Sequence, residues 1–311
     1  MLSRLTRTTR IVVAAVALSM MLGTGPPVAA TPSGEVVTAA LDEPPTAFGA
    51  VVKPQGSQTY PNALAQSESR YGRLGVIRYF DANAPDPWAE YTARWGDRPV
   101  IVSFRIPPDL VLNGSQDQAL RRFFRDAPTG QATYWSYMHE PEDDIARGEM
   151  TARAFRRAFA HVAALAAEAR NPQLYATLIM MCYTVNPTSG RNWRDYYAAG
   201  AVQLIAWDCY NHAWRRGGYG TPENLLSRAV ATSQETGLPW GIAELGSVVG
   251  SEDSSGSGRA AWLRACGQYL IDRGARFVSY FDTNGKRTDY RLLDEPSRAA
   301  WDELVTDQVT L

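Results

Sequence analysis

The clearest strand–helix–strand unit of the chain is residues 133–184, TYWSYMHEPEDDIARGEMTARAFRRAFAHVAALAAEARNPQLYATLIMMCYT. Its two ends, Thr133–Glu140 and Leu174–Thr184, are short and rich in aromatic and branched residues, as β-strands are. Its middle, Thr151–Arg170, repeats large apolar residues at helical spacing in an Ala-rich body. A helix between two strands is the connection that parallel strands require, so this stretch predicts a βαβ unit.

The same alternation extends in both directions from this unit. Six further strands are predicted, at Phe48–Val52, Leu74–Asp81, Pro99–Arg105, Ala201–Asn211, Pro239–Gly246 and Arg276–Asp282. Helical patterns lie between or after them, at Ala63–Tyr71, Trp88–Trp95, Gln116–Arg125, Trp193–Ala199, Pro222–Thr236, Arg259–Arg273 and Ser297–Asp307. Strand starts recur about every 25 to 41 residues, which is the length of one βα unit.

Eight such units predict an α/β fold, a single-domain (β/α)8 TIM barrel. The competing fold is a doubly wound open sheet, which usually has fewer strands and a Gly-rich first turn. The first predicted strand instead runs into Val52-Lys53-Pro54-Gln55-Gly56, and no G-x-G-x-x-G follows it. The barrel is therefore the favoured prediction.

The N-terminal residues predict export. Residues 1–30 combine Arg4, Arg7 and Arg10 with the apolar run Ile11–Leu22 and small residues ending at Ala30, a pattern typical of a secretory signal peptide. Twelve apolar residues are too few to span a bilayer, so no membrane anchor is predicted. Residues 31–46 are predicted to be a flexible lead-in, and residues 47–311 are predicted to form the catalytic barrel.

Composition excludes several classes of function. The formal charge is −1, and removing the leader with its three arginines lowers it to about −4. A mildly acidic, secreted chain is a poor candidate for binding nucleic acid or an anionic membrane. The 45 % apolar and 11 % aromatic residues supply a large core and argue against disorder. We expect a monomer without a cofactor.

Cysteine and histidine are too few to frame the fold or to build a metal centre. Of the three cysteines, Cys182 and Cys209 fall on neighbouring predicted strands, where either a disulfide or buried thiols would fit. The three histidines, His139, His161 and His212, are scattered, so no catalytic zinc site is predicted. The loop Gly250–Gly258 lacks the Gly-Lys-Ser/Thr ending of a phosphate-binding loop, and no G-x-S-x-G serine elbow occurs.

Two glutamates stand where a TIM barrel carries its chemistry, at the carboxyl ends of strands. Glu140 ends the fourth predicted strand and Glu244 lies near the end of the seventh. Cleavage of a glycosidic bond needs such a pair, one protonated acid for the leaving oxygen and one carboxylate at the anomeric carbon. The acid would need a raised pKa to remain protonated near neutral pH.

Three segments resemble glycoside hydrolase family 26, whose members include endo-mannanases. Tyr137-Met138-His139-Glu140 resembles its strand-4 His-Glu motif, Ile242-Ala243-Glu244-Leu245-Gly246 its nucleophile strand, and Ile205-Ala206-Trp207-Asp208-Cys209-Tyr210 its strand-6 segment. The resemblance in order and spacing covers nearly all of residues 48–305. It departs after Glu140, where Pro141-Glu142-Asp143-Asp144 replaces the family's usual Met-Asn-Gly, so a distant member is indicated.

The resemblance implies a role for four of these residues. Glu140 would be the acid/base and Glu244 the nucleophile of a retaining reaction. Tyr210 would orient the nucleophile, and His139 would contact the sugar. From the residues alone, His139 could equally be a core histidine, Glu244 a structural carboxylate, and Glu140 part of an acidic surface loop, with Glu142 as the fallback acid.

Other polar and aromatic residues at the strand ends are candidate sugar contacts. Asp81, Asp208 and Asp282 could bind hydroxyls, or form rim salt bridges with Arg78 or Arg105, and Arg105 itself is a candidate contact. Indole rings stack on the apolar face of sugars, which makes Trp193, Trp207 and Trp214 candidate platforms. The sequence thus predicts a secreted, retaining, endo-acting hydrolase of an extracellular β-glycan. The alternative is a lectin-like barrel that binds carbohydrate without cleaving it.

Overall fold

The computed structural model describes residues 45–213, 218–285 and 288–307. Eight parallel strands, each hydrogen-bonded to its sequence neighbours, close into a barrel in the order β1 to β8, with β1 also paired to β8. The strands are β1 Ala47–Val51, β2 Val76–Asp81, β3 Val100–Phe104, β4 Thr133–Tyr137, β5 Leu174–Met181, β6 Leu204–Asn211, β7 Trp240–Ser247 and β8 Phe277–Tyr280. The prediction of a single-domain (β/α)8 barrel is confirmed.

Helices cover the outside of the barrel. They are α1 Tyr60–Tyr71, α2 Trp88–Trp95, α3 Pro108–Leu112, α4 Asp117–Asp126, α5 Pro141–Ala146, α6 Ala152–Glu168, α7 Pro222–Thr236, α8 Ser257–Ile271 and α9 Glu295–Asp307. Threonine hydroxyls cap three of them, at Thr59, Thr151 and Thr221, by accepting a backbone N–H of the first turn. The final helix is joined to the first strand, because the Trp301 indole donates to the Gly49 carbonyl at 3.2 Å.

The connection from β5 to β6 differs from the prediction. We expected a helix over Trp193–Ala199, but the structure has only short 3₁₀ turns at Cys182–Val185 and Trp193–Asp195. A disulfide between Cys182 and Cys209 ties this connection to β6, which settles the two alternatives that the sequence left open. The third cysteine, Cys266, is a buried thiol.

Two apolar layers surround the strands. The larger lies between the strands and the helices, and a smaller one fills the barrel interior with Val76, Ile101, Ile179, Leu204, Ala206, Ala243 and Phe277. Side chains alternate along a strand, so Arg78 and Phe80 face the same interior as Val76. Gly49 lets β1 approach β2, since a Cβ there would lie 1.7 Å from the Val76 carbonyl oxygen. The polar residues at the carboxyl ends of the strands thus lie above the layer of apolar side chains that fills the barrel interior.

Candidate active site

A cavity of about 440 Å³ opens at the carboxyl ends of the strands and contains both glutamates. His139 and Glu140 reach it from the segment after β4, Tyr210 from β6 and Glu244 from β7. The remaining lining residues are Val51, Val52, Lys53, Tyr60, Tyr79, Phe80, Phe281 and Thr283. The structure therefore brings together the four residues that the family resemblance singled out.

The backbone around Glu140 is strained. Strand β4 ends at Tyr137, and both Met138 and Glu140 adopt left-handed φ angles, of 51° and 50°. The Met138 N–H donates to the Phe104 carbonyl at 2.9 Å, and the Glu140 N–H donates to the Ile179 carbonyl at 3.0 Å. The neighbouring strands thus hold a conformation that non-glycine residues adopt at a cost, as is common at functional sites.

Glu244 lies deeper and is held by two donors. The Arg78 guanidinium from β2 donates to its Oε1 at 3.3 Å, and the Tyr210 hydroxyl donates to its Oε2. Both donors are themselves held in place, since Arg78 is fully buried and donates to the Tyr79 carbonyl at 2.9 Å. These contacts fix the carboxylate and stabilise its charged form.

The electrostatic environment acts differently on the pKa values of the two carboxyl groups. Burial and the charge of Glu244 raise the pKa of Glu140 to about 8. Burial also raises the pKa of Glu244, but Arg78 and Tyr210 oppose that rise. Only Glu244 has the two fixed donors, so this environment favours the proton on Glu140 and the negative charge on Glu244.

His139 is neutral in this site. Burial, and then the charges of Arg78 and Arg105, lower the pKa of its imidazole well below the usual value. The ring lies 5.2 Å from that of Phe80, and its Nδ1 has no hydrogen-bond partner among the described residues. This buried nitrogen therefore has an unmet hydrogen-bonding capacity.

A second cavity, of about 230 Å³, shares Glu140 and Tyr210 with the first in its lining. Asp208 lines it and is almost fully buried, and its two carboxyl oxygens have no hydrogen-bond partner in the described part of the chain. Burial, followed by the charges of Glu244 and Glu140, raises its pKa well above the usual range. A protonated Asp208 can donate a hydrogen bond into this cavity.

The aromatic platform of the second cavity is Tyr183, which the sequence analysis missed. Its side chain is 50 % exposed, unusually for a large ring. The Arg191 guanidinium lies 5.6 Å from the ring centre, and the hydroxyl donates to the Thr188 carbonyl at 3.3 Å. Tyr183 was predicted to lie near the end of the strand Leu174–Thr184, but β5 ends at Met181 and Tyr183 lies in the 3₁₀ turn that follows.

The structure contradicts the prediction that Trp207 stacks on a sugar. Trp207 is fully buried, and its indole donates to the Ser233 hydroxyl of α7 at 2.9 Å. It therefore faces the helices, while its neighbour Asp208 faces the cavity. Trp193 packs on Tyr197 at 5.4 Å and lines neither cavity. Trp214 lies outside the described residues.

Asp81, Asp282 and Arg105 are engaged in structural contacts. Asp81 accepts the Tyr91 hydroxyl of α2, and Asp282 accepts the Tyr71 hydroxyl at 2.8 Å. Arg105 pairs with Asp144. These residues line neither cavity. The structure therefore favours the interpretation that they make structural contacts at the rim of the barrel rather than contacts with a sugar.

Glu142 is also structural and does not serve as the fallback acid. Its buried carboxylate accepts the Met181 N–H at 2.9 Å and the Thr184 hydroxyl, so it anchors α5 to the β5–β6 connection. From the sequence, Arg78 was predicted only as a salt-bridge partner of the aspartates at the rim. Its spacing of two residues from Val76 and from Phe80 was the signal that placed it inside the barrel.

Two kinds of feature are absent from the described residues. No group of three or more histidine, cysteine, aspartate or glutamate side chains is arranged to hold a metal ion. No helix in the described ranges is long and apolar enough to cross a membrane.

Comparison with solved structures shows the same barrel in several glycoside hydrolases. A glucosidase from Croceicoccus marinus superposes with a TM-score of 0.59 at 10 % identity, covering 86 % of this chain and 68 % of the other. A family 26 β-mannanase from Bacteroides ovatus gives 0.55 at 10 %, covering 85 % and 89 %. An endo-β-1,4-mannanase from Thermotoga petrophila gives 0.54 at 11 %, covering 86 % and 77 %. At these identities the likeness shows the fold alone.

Sequence comparisons found no relative. No family model matches the chain, and no curated protein matches it.

Proposed function

We propose that this protein is a glycoside hydrolase that cleaves a polysaccharide with retention of configuration, and that it is a distant member of family 26. The observation that carries the proposal is the pair of glutamates in one cavity, one with a pKa raised to about 8 and the other held by Arg78 and Tyr210. The glycosidases that share the barrel, among them a glucosidase and mannanases, are consistent with it.

The reaction follows from the two protonation states. The Glu244 carboxylate attacks the anomeric carbon while Glu140 donates its proton to the leaving glycosidic oxygen, so the C–O bond breaks and a glycosyl ester forms. Glu140, now ionised, then removes a proton from water, whose oxygen attacks the same carbon and releases Glu244. Tyr210 keeps Glu244 oriented, and His139 contacts the sugar.

Two cavities that share Glu140 in their lining support endo action. Glu140 and Tyr210 border both, so a chain can continue beyond the cleaved bond in each direction. We propose that the 440 Å³ cavity holds the sugar that Glu244 attacks and that the 230 Å³ cavity holds the leaving sugar, with Tyr183 as its platform.

Secretion is part of the same proposal, because the substrate that we propose is an extracellular polysaccharide. Residues 1–30 lie outside the described residues, and the support is the leader pattern in the sequence. N-terminal sequencing of the exported protein tests it, and a new N-terminus close to Thr31 is the expected result.

The decisive test is turnover by Glu244→Gln. The wild type is screened for release of reducing ends from mannan, xylan, mixed-linkage β-glucan and polyuronates, and the anomer first formed is read by NMR. We expect retention, and a loss of roughly 10³-fold or more in kcat for Glu244→Gln. Glu168→Gln, at an exposed position of α6, is the control and keeps wild-type turnover.

Three results would overturn the proposal. These are near-wild-type activity in Glu244→Gln, formation of the inverted anomer, or retention of the protein by a polysaccharide gel with no cleavage of any glycan. The last result would support the lectin-like alternative.

A further inference from the structure

One wall of the 440 Å³ cavity is built of hydrogen-bond donors rather than carboxylates. Lys53 follows β1, Tyr60 begins α1 and Tyr79 lies on β2, and we call these three residues the donor wall. Apart from the two glutamates, the described residues that line this cavity include no acidic and no amide side chain. The two phenols both donate and accept hydrogen bonds, whereas Lys53 only donates, so a ligand that presents an acceptor group to Lys53 is favoured at this wall.

Lys53 carries a positive charge without a protein counter-ion. Its side chain is exposed, and no carboxylate among the described residues lies within ion-pair distance of it. It also borders a neighbouring cavity of about 570 Å³, which contains Glu90 and Arg94. An ammonium ion in this position supplies an attractive field at the mouth of the site.

The acidic groups near the donor wall are already paired. Arg94 binds Asp86 at 2.7 Å and Glu90 at 3.5 Å, and it also donates to the Tyr79 hydroxyl at 2.9 Å. Its guanidinium lies 4.8 Å from the Tyr60 ring centre. Arg94 therefore holds the two tyrosines and neutralises the nearby carboxylates, and Lys53 remains available to a ligand.

The pKa shifts of the two glutamates do not explain why Lys53 lines the cavity. The charges that act most strongly on the pKa of Glu140 are those of Glu244, Glu142, Arg78 and Asp143. Those that act on Glu244 are Arg78 and the Tyr210 hydroxyl. Lys53 is in neither group, so those pKa shifts do not account for its presence in the cavity lining.

We propose that the 440 Å³ cavity takes a sugar that carries a carboxylate, that is, a uronic acid, with the carboxylate bound by Lys53 and the donor wall. The inference rests on the proposed function and narrows its substrate class to acidic glycans. A charge-assisted hydrogen bond from an ammonium ion to a carboxylate is about twice as strong as a neutral one. Lys53 would thus determine specificity rather than take part in bond cleavage.

The test is binding of single sugars to the wild-type chain by NMR titration. D-glucuronate, D-mannuronate and D-galacturonate are each compared with glucose, mannose and galactose. We expect at least one uronate to bind about tenfold more tightly than its neutral partner. Lys53→Met removes that preference, and Lys53→Arg preserves it because the charge and the donors remain.

The matched control is Arg122→Met, which removes an exposed cation from α4 and keeps the preference. Equal affinities within every pair, including no measurable binding of any uronate, would overturn the inference. A uronate preference that persists in Lys53→Met would also overturn it. Tighter binding of glucose 6-sulfate than of glucuronate would show that a sulfate ester, and not a carboxylate, is the ligand group.

The two proposals fail in distinguishable ways, because binding needs no turnover. Uronate binding that depends on Lys53, with no glycan cleaved, leaves this inference standing as a binding specificity and removes the hydrolase proposal. Cleavage of neutral glycans that is lost in Glu244→Gln, with no uronate preference, does the reverse.

Discussion

In the proposed mechanism, two identical side chains take different roles because of what surrounds each carboxyl. Glu244 is fixed by a buried guanidinium and a phenol, whereas Glu140 lies on a strained turn and carries its proton because it is buried near a second negative charge. The difference in role is therefore set by donors on β2 and β6, far from either glutamate in the sequence.

This difference predicts the pH dependence of cleavage. Glu140 is active when protonated, and its pKa of about 8 means that the active form dominates at neutral pH and is lost as the pH rises through 8. We expect kcat/KM for an unactivated glycan to fall about tenfold per pH unit above that value. Glu140→Gln should remove this alkaline limb on an aryl glycoside whose leaving group needs no proton.

Glu142→Gln is the matched comparison, because Glu142 is also a glutamate and lies two residues from Glu140. Its carboxylate only anchors α5 to the β5–β6 connection, so the variant should lose stability and keep the alkaline limb. A profile in which Glu142→Gln removes the limb and Glu140→Gln retains it would reverse the assignment.

At the scale of the strands, the sequence predicted where each element lies better than which way its side chains point. Alternation and spacing located all eight strands and put Glu140 and Glu244 at the same end of the barrel. Trp207 was assigned to the site because it lies near the end of the sixth strand and an indole can stack on a sugar, but Trp207 and its neighbour Asp208 face opposite sides of β6. The β6–β7 register also shifts between them, a feature that depends on the neighbouring strand.

Contacts made through space were equally hidden from sequence reasoning. Asp81 and Asp282 end their strands as catalytic residues often do, yet Asp81 accepts the hydroxyl of Tyr91 on the next helix and Asp282 accepts that of Tyr71, 211 residues away. Tyr183 was missed although it lies within the predicted strand Leu174–Thr184, because β5 ends at Met181 and Tyr183 belongs to the 3₁₀ turn that follows. A pattern along one strand carries no information about the partner that a side chain finds on another element.

The orientation of Trp207 predicts a structural phenotype. Trp207→Phe loses the hydrogen bond to Ser233 and part of a fully buried ring, so the free energy of unfolding should fall by about 1–3 kcal/mol. KM should not change, because the ring does not reach the cavity. Denaturant unfolding and steady-state kinetics check the two parts separately.

Tyr183→Ala is the contrasting variant at this scale. Its half-exposed ring contributes little to the fold, so stability should be close to the wild type while KM for a long glycan rises. An increase in KM for Trp207→Phe without a change for Tyr183→Ala would show that the platform had been assigned to the wrong ring.

At the scale of the whole barrel, the weak point is the connection without an α-helix. Twenty-seven residues separate Cys182 from Cys209, and their bond closes the β5–β6 connection beside the second cavity. A cross-link of this length removes loop-closure entropy from the unfolded chain, which corresponds to about 3–4 kcal/mol of stability. The disulfide thus does for this segment part of what helix packing does elsewhere around the barrel.

Reduction should therefore destabilise the whole barrel, since all eight strands form one closed sheet. We expect the thermal midpoint of the reduced protein, or of the double variant Cys182→Ser/Cys209→Ser, to fall by roughly 10 °C relative to the oxidised wild type. Cys266→Ala, which leaves the bridge intact, should keep the full response to reductant. Equal midpoints for the oxidised and reduced protein would mean that packing alone holds the connection against β6.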